Sequence, residues 1–278
     1  MLLYFSKMHG LGNDFMVIDL ITQNISLTTK FIKKFSDRNL GVGFDQLLII
    51  EKSKSSNVDF NYRIFNNDSS EVENCVNGSR CLAKFIFDNY LTYKKKIKVK
   101  TINNIITLKK KKKNILVEMD NPIFNPLYIP FLRYKDKLIH KIKIYINNIY
   151  IEIYISVVSI GNPHSIILFK NLKKLPLNEL GYALQISKYF PKKVNVSFIQ
   201  IISCNIIIMR VFERGVGETL ACGTAACAAA VTGIRRGLLT NNVYIYLPGG
   251  KLNVCWNGNN INIIGPAEKV FDGYINII

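Results

Sequence analysis

The chain has 278 residues, about two domains' worth of polypeptide at roughly 150 residues per domain. A chain of this length buries a full core without disulfide or metal staples, since proteins near this size remove roughly 75% of their unfolded surface from water. Hydrophobic residues make up 49% of the sequence, which excludes wholesale disorder.

The charge is strongly basic, since 37 Lys and Arg against 19 Asp and Glu give a formal net charge of +18. Basic residues supply most non-specific affinity for phosphates, so a nucleic acid or a membrane surface has to be considered as a partner. The lysines lie mostly at the ends of Ile-rich stretches, without interleaved aromatic residues or an RNA-binding signature. We interpret them as solvated loop tips and expect no nucleic-acid or membrane partner.

The sequence predicts a soluble, cytoplasmic protein. The first residues do not combine a basic segment with an apolar stretch and a cleavage site, so we predict no export signal. The apolar run at residues 149–160 is interrupted by Glu152 and Ser156 and is shorter than the ~20 residues that span a bilayer. In the cytoplasm the six cysteines are expected to be reduced.

Strands outnumber helices among the predicted elements. Alternating or continuous apolar runs predict strands at residues 46–50, 62–65, 141–146, 149–155, 205–212 and 243–247. Composition predicts helices over residues 79–90 and 224–236, the second ending at Gly237 with a left-handed cap. This second helix has no polar face in its first two turns, so it must be buried all round.

Two parts of the chain repeat each other. An Arg-Ile-Phe or Arg-Val-Phe triplet, followed six residues later by Glu and four further on by Cys, occurs twice and ends at Cys75 and Cys222. Other landmarks recur in the same order at an offset of 147 to 149 residues: Gly12-Asn13 with Gly161-Asn162, and Gln46 with Asn195. The repeat predicts a duplicated unit. We therefore expect a mixed α/β (α+β) fold of two pseudo-symmetric lobes, each a strand-rich sheet or barrel wrapped around a buried central helix.

Cys75 and Cys222 each lie just before a predicted helix, where N–H groups and the helix dipole favour negative charge. That position is expected to lower the pKa of a thiol and to offer a seat for a carboxylate. Two equivalent loops facing an interlobe cleft would present a thiol from each side. Inverting a stereocentre by deprotonation needs a base on one face and an acid on the other, and the two cysteines could supply that pair.

Other interpretations of the motifs are weaker. The remaining cysteines are most simply small buried hydrophobes. Cys75-x5-Cys81 and Cys222-x4-Cys227 are wider than the usual zinc knuckle, so we predict no metal. The glycines at residues 10–15 lack the last glycine of a dinucleotide fingerprint, and residues 247–250 are better explained as a turn than as a P-loop.

Five segments together resemble the diaminopimelate epimerase family: MHGLGNDF at 8–15, GFDQ at 43–46, FN at 65–66 through CVNG at 75–78, GNPH at 161–164 and ERGVGETLACG at 213–223. The resemblance runs from end to end. It implies a cofactor-independent enzyme that interconverts LL- and meso-2,6-diaminopimelate for lysine and peptidoglycan synthesis, and a homodimer. It also implies an N-terminal lobe of residues 1–120, joined by a returning strand at 267–278, and a C-terminal lobe of residues 121–266.

The resemblance also implies roles for individual residues. Cys75 and Cys222 match the acid/base cysteines, and His164 and Glu213 match residues that tune the thiols. The substrate-binding positions comprise four that offer backbone N–H groups to the reacting carboxylate and seven that read the ammonium and carboxylate groups: Val76, Asn77, Gly223 and Thr224, then Asn13, Gln46, Asn66, Asn162, Asn195, Glu213 and Arg214. Judged without the family, His164 is an ordinary loop histidine, and Asn13 and Asn162 are turn formers.

The sequence departs from the family at several positions. Val76 and Ala225 stand where glycine is usual, Ser69 replaces the glycine of an Asp-Gly-Ser turn, and Phe271 stands where a tyrosine helps dimer contact in some members. The nearest alternative function is another two-cysteine racemase of the proline type. Arg214 favours a substrate with a second charged end.

Overall fold

The computed structural model describes residues 2–133, 135, 137–146 and 148–277. The chain divides into two units, Met1–Glu118 with Ile264–Ile278, and Met119–Ile263, hereafter the first and the second unit. Strands predominate in both, and each holds a long helix that is buried along most of its length. This arrangement confirms the predicted mixed α/β fold.

The first unit begins with a β-hairpin, and the first of its two chain segments ends with three short strands. Its elements are β1 (Leu2–Gly10), β2 (Asn13–Asp19), α1 (Thr29–Ser36), β3 (Gln46–Lys52), β4 (Phe60–Asn66), α2 (Val76–Asp88), β5 (Lys96–Lys100), β6 (Ile105–Lys111) and β7 (Asn114–Met119). β2 and β3 are parallel neighbours, and β3 and β4 are antiparallel. The strands β1, β2, β3 and β6 contact α2.

The second unit uses the same kinds of element. They are β8 (His140–Ile146), β9 (Ile149–Ser159), β10 (Pro163–Leu168), α3 (Leu177–Gln185), β11 (Asn195–Ser203), β12 (Ile206–Glu213), β13 (Gly217–Thr219), α4 (Gly223–Arg235), β14 (Asn242–Leu247), β15 (Gly250–Cys255) and β16 (Ile261–Gly265). Short 3-10 helices lie at Pro126–Tyr128 and Leu172–Lys174. In the described part of the chain, we find no helix with the length and apolar character needed to cross a bilayer.

The last strand, β17 (Glu268–Asn276), returns to the first unit and pairs antiparallel along β1. Gly273 of this strand lies against the ring of Phe5. A Cβ at this position would come within 2.9 Å of that ring, so the close approach requires glycine. Phe271 packs edge-on to Phe5, with ring centroids 6.0 Å apart. Three large apolar side chains of β17 remain exposed: Val270, Phe271 and Tyr274.

The structure confirms the predicted duplication. β2 runs parallel to β3 with Phe15 beside Gln46, and β10 runs parallel to β11 with His164 beside Asn195. In each unit the next strand carries an Arg that makes two hydrogen bonds of 2.7 to 2.9 Å to a Glu eight residues later. Those two pairs are Arg63 with Glu71 and Arg210 with Glu218. The repeated spacing therefore records a shared structure, in which the ion pair fixes the segment leading to each cysteine.

All six predicted strands are present, and both predicted helices are present with slightly different ends. Residues 225–231 of α4 are fully buried, as its sequence requires, and Gly237 follows the helix with a φ of 69°. The short helices α1 and α3 were not predicted. The lysines near residues 96–111 are not loop tips, because many of them lie on β5 and β6, where Ile97 and Val99 alternate with them and are buried. They are the solvated face of strands.

The turn after β4 holds Ser69 in the left-handed region, with a φ of 74°. This conformation costs a non-glycine residue roughly 1–2 kcal/mol, part of which glycine loses again through its greater freedom when unfolded. We expect Ser69→Gly to raise the free energy of unfolding by about 0.5 to 1 kcal/mol, measured by urea denaturation. Asn67→Gly in the same turn is the matched control, because Asn67 does not have a positive φ. Equal effects of the two substitutions would contradict the strain argument.

Candidate active site

Cys75 is the N-cap of α2, and its sulfur takes the place that a cap oxygen usually occupies. The backbone is extended, with φ −145° and ψ 105°, and Sγ accepts a hydrogen bond from the N–H of Gly78 at 3.3 Å. The Cys75 carbonyl accepts from the N–H of Ser79 at 2.7 Å. The thiol therefore lies at the positive end of a buried helix, as the sequence predicts.

Two asparagine side chains lie beside this thiol. The Cys75 Sγ and Asn13 Oδ1 atoms are 3.8 Å apart, and Asn77 Nδ2 donates to the same oxygen at 3.5 Å. Asn13 reaches this position from a tight hairpin in which Leu11 and Gly12 both have positive φ. The structure thus brings together three of the predicted site residues of the first unit.

Gln46 and Asn66 face each other across β3 and β4. Gln46 Nε2 donates to Asn66 Oδ1 at 2.9 Å, and the two residues are direct partners in the strand register. The other end of the Gln46 amide, Oε1, is buried and has no hydrogen-bond partner among the residues that the structure describes. A buried acceptor of this kind is suited to a donor from a ligand, such as an ammonium group.

Cys222 is the N-cap of α4 and is buried, 7% exposed. Its Sγ lies 3.4 Å from Thr224 Oγ1. Burial raises the pKa of the Cys222 thiol well above its usual value, the charge and hydrogen bond of Glu213 raise it further, and bonds from Thr224 and the Ala225 backbone oppose the rise. The predicted lowering of the pKa at a helix start is therefore wrong for Cys222, because burial and a nearby carboxylate outweigh the helix end.

Glu213 ends β12 and accepts a hydrogen bond from Thr219 Oγ1 at 2.6 Å. Because its carboxylate raises the pKa of Cys222, we expect Glu213→Gln to move the pH midpoint of Cys222 alkylation to lower pH and to make alkylation at pH 7 several-fold faster. Peptide mass spectrometry after iodoacetamide treatment at a series of pH values measures this midpoint. Glu218→Gln is the matched control, since Glu218 pairs with Arg210. An unchanged or higher midpoint in Glu213→Gln would rule out the tuning role.

His164 is fully buried on β10, so it is a strand residue and not the loop histidine that its sequence context indicates. Burial, helped by the charge of Arg214, lowers the pKa of His164 to about 3. The ring is therefore neutral, and its Nε2 donates to Asn162 Oδ1 at 2.8 Å. Its Nδ1 is buried, and no described residue forms a hydrogen bond with it. The neutral ring can therefore accept a hydrogen bond at Nδ1, but it carries no positive charge.

Arg214 lies in the turn after β12 and is exposed. Asn195 holds this turn, because its Oδ1 accepts from the backbone N–H of Arg214 at 2.9 Å and its Nδ2 donates to the carbonyl of Pro163 at 3.4 Å. The Arg214 guanidinium makes a 3.4 Å hydrogen bond to the carbonyl of Lys192. Asn195 is thus placed as a support for Arg214, and the guanidinium can still offer a planar pair of donors to a carboxylate.

The predicted backbone donors belong to the first turns of the two helices. Val76 and Asn77 open α2, and Gly223 and Thr224 open α4. N–H groups in a first helical turn point out of the helix end, where they favour an anion. Val76 is buried and has no positive φ, so a β-branched residue fits where the family usually has glycine.

The sequence patterns do not identify two residues of the first unit that lie near Cys75. Tyr62 is buried on β4, and a Cβ at position 78 would lie 2.6 Å from its hydroxyl and 3.3 Å from Cys75 Sγ, so Gly78 is required by close approach. Burial raises the pKa of Tyr62 well above its usual value. Arg80, one turn further along α2, is 0% exposed. The strand pattern indicates that Tyr62 is buried, but it does not show that the side chain lies near Cys75.

Solved structures share this fold at low sequence identity. A hydroxyproline epimerase from Agrobacterium vitis matches with a TM-score of 0.70 at 12% identity, over 99% of this chain and 92% of that one. A PhzF-family phenazine biosynthesis protein from Bacillus anthracis matches with a TM-score of 0.68 at 15% identity, over 100% of both chains. The chain thus shares its fold with an epimerase and with a PhzF-family protein.

Sequence similarity identifies the class of protein as an isomerase and then shows its family. The family model for diaminopimelate epimerase matches residues 5–125 and 156–270. Proteins with that name are 47% identical in Pseudomonas aeruginosa (strain UCBPP-PA14), over 100% of both chains, and 48% identical in Blochmanniella pennsylvanica, over 98% of this chain and 99% of that one. The chain belongs to the diaminopimelate epimerase family.

Proposed function

We propose that this enzyme interconverts LL- and meso-2,6-diaminopimelate by inverting one α-carbon with two cysteines, one acting as base and the other as acid. The observation that carries the proposal is the duplicated setting of Cys75 and Cys222, each the N-cap of a buried helix in a separate copy of one unit. The name shared by full-length relatives at 47% and 48% identity supports the substrate.

The two thiols have different surroundings, which suits different protonation states. Cys222 is buried beside the Glu213 carboxylate, and both features favour its protonated form. A protonated Cys222 is the acid that donates to one face of the α-carbon while a Cys75 thiolate removes the proton from the other. Once the product forms, the protonation states are exchanged, so the reverse reaction uses the same two groups in opposite roles.

The reacting carboxylate is the group whose charge grows as the α-proton leaves. In the proposed mechanism the N–H groups of Val76, Asn77, Gly223 and Thr224 hold it, because donors fixed in advance at a helix end stabilise developing negative charge without reorganising. No step of this mechanism requires a cofactor. The buried Oε1 of Gln46 is suited to accept from the α-ammonium. In this proposal the side-chain amides of Asn13, Asn66, Asn162 and Asn195 complete the polar set.

Arg214 provides the specificity for a substrate with a second charged end. Its guanidinium is exposed and its backbone N–H is fixed by Asn195, so it can form a bidentate pair with the distal carboxylate. A proline-type substrate has no distal carboxylate to offer. This difference separates the proposed activity from that of another two-cysteine racemase.

The proposal also includes a cytoplasmic homodimer. The exposed apolar side chains of β17, with Tyr4 on the neighbouring β1, support an interface there. Large exposed apolar groups clustered on neighbouring strands are a frequent feature of subunit interfaces. Analytical ultracentrifugation of the wild type and of Phe271→Asp tests the dimer, and a monomeric wild type would overturn it.

The activity is tested by incubating the enzyme with LL-diaminopimelate in deuterated water. The expected product is the meso isomer with one deuterium at one α-carbon, detected by mass spectrometry and NMR. L-Proline under the same conditions is expected to remain unracemised. Failure to form meso product would overturn the proposal, and racemisation of proline would favour the alternative substrate class.

A further inference from the structure

The side-chain amide of Asn13 lies beside the Cys75 thiol, and a hydrogen bond to Asp45 fixes its orientation. Asn13 Nδ2 donates to Asp45 Oδ2 at 2.9 Å, which leaves Oδ1 to face Cys75 Sγ at 3.8 Å and Asn77 Nδ2 at 3.5 Å. A carboxylate accepts hydrogen bonds and does not donate them, so only the NH2 end of the amide can face Asp45. The oxygen therefore has to point at the thiol.

Asp45 is itself held in one place by a charged network. Arg38 donates to Asp45 Oδ1 at 2.7 Å and to Asp14 Oδ1 at 2.8 Å, and the Asp45 backbone N–H donates to Asp14 Oδ1 at 3.0 Å. Lys7 adds a second cation at Asp14. The Arg38 guanidinium at Oδ1 and the backbone N–H of Asp14, which donates to Oδ2 at 3.3 Å, restrict the Asp45 carboxylate to the rotamer that meets Asn13.

We propose, building on the function proposed above, that Asp45 is a positioning residue: by fixing the Asn13 amide it keeps a hydrogen-bond acceptor, and not a donor, directed at Cys75. An acceptor at this distance orients the S–H of Cys75 in the direction of reaction in which Cys75 is the acid, and it does not stabilise the thiolate. Asp45 acts only through Asn13 and does not contact the reacting atoms.

The substitution Asp45→Asn reverses the arrangement with almost no change in shape. The single oxygen of the new amide is drawn to the charged Arg38 guanidinium rather than to the neutral backbone N–H of Asp14, so its NH2 group faces Asn13. Asn13 then has to turn its own oxygen toward residue 45 and its NH2 toward Cys75. A donor beside the sulfur favours the thiolate. We expect kcat in the direction that uses Cys75 as the acid to fall by about tenfold or more, which is about 1.4 kcal/mol or more in activation free energy.

The decisive measurement is a double-mutant cycle with Asn13→Ala. If Asp45 acts through Asn13, Asp45→Asn will have no further effect on kcat once the Asn13 amide is absent. An equal loss of kcat with and without the amide would overturn the proposal. Asp88→Asn is the matched control, since Asp88 pairs with Lys84 at the far end of α2, and we expect its kcat to be unchanged.

A second measurement needs no substrate, so it separates failure of this proposal from failure of the proposed function. Asp45→Asn is expected to speed iodoacetamide alkylation of Cys75 relative to the exposed Cys204 in the same molecule, and Asn13→Ala is expected to abolish the difference. Peptide mass spectrometry gives both rates. An alkylation rate of Cys75 that Asp45→Asn leaves unchanged would overturn the proposal, whether or not the enzyme turns over diaminopimelate.

Discussion

Cys75→Ala and Cys222→Ala are each expected to lower epimerase turnover by about a thousandfold, within the range that general acid–base catalysis supplies. Each variant retains one thiol, so it can still remove a proton from a single face of the α-carbon. Inversion needs a proton on the other face, and no second group is present to give it. We therefore expect each variant to exchange the α-hydrogen of one epimer with solvent without converting it to the other.

Proton NMR in deuterated water separates the two events, because exchange and inversion give different products. The two variants should exchange opposite epimers, since their remaining thiols serve opposite faces. Cys204→Ala, a change of an exposed cysteine, is the control and is expected to retain full turnover. Near-normal turnover in either variant would refute the two-base mechanism, and exchange of the same epimer by both would refute the assignment of one cysteine to each face.

The positions of the two cysteines were predictable because local sequence decides them. A helix begins after each cysteine, since the residues that follow are small or apolar and the segment before it is fixed by an Arg and Glu eight residues apart. The repeat makes this local signal unusually reliable, because the same spacing occurs twice. Burial of α4 was equally predictable, since residues 225–231 have no polar face to expose.

The electrostatics of the thiols could not be predicted in the same way. The pKa of Cys222 depends on burial and on Glu213. Glu213 is nine residues away in the sequence, and it lies near the sulfur only because of the path that the chain takes between β12 and α4. The bond from Asn13 to Asp45 depends on the parallel register of β2 with β3. The sequence pattern predicts the strand at residues 46–50 but not β2, and no pattern of this kind sets the register between two strands.

The two copies also differ where a local pattern cannot show it. Arg80 of α2 corresponds to Cys227 of α4, which lies at the same 147-residue offset that relates Cys75 to Cys222. Cys227 is a small buried thiol, whereas Arg80 is a fully buried cation. Its guanidinium donates to the carbonyl of Pro266 at 3.1 Å and to Asn77 Oδ1 at 2.8 Å. A single side chain thus joins the first turn of α2 to the segment that leads into β17.

Arg80→Met is expected to lower the free energy of unfolding of the first unit by about 2 to 3 kcal/mol, because its acceptors, which also include the carbonyl of Val76, lose a charged donor inside the protein. Hydrogen exchange of the α2 amides in increasing urea measures this loss locally. Arg80→Lys is expected to recover part of it, since an ammonium keeps the charge but cannot span two acceptors as the planar guanidinium does. Lys84→Met, at a half-buried position of the same helix, is the matched control and is expected to change the free energy by less than about 0.5 kcal/mol. If Arg80→Met were as stable as Lys84→Met, the buried guanidinium would not be what holds the Cys75 helix to the returning strand.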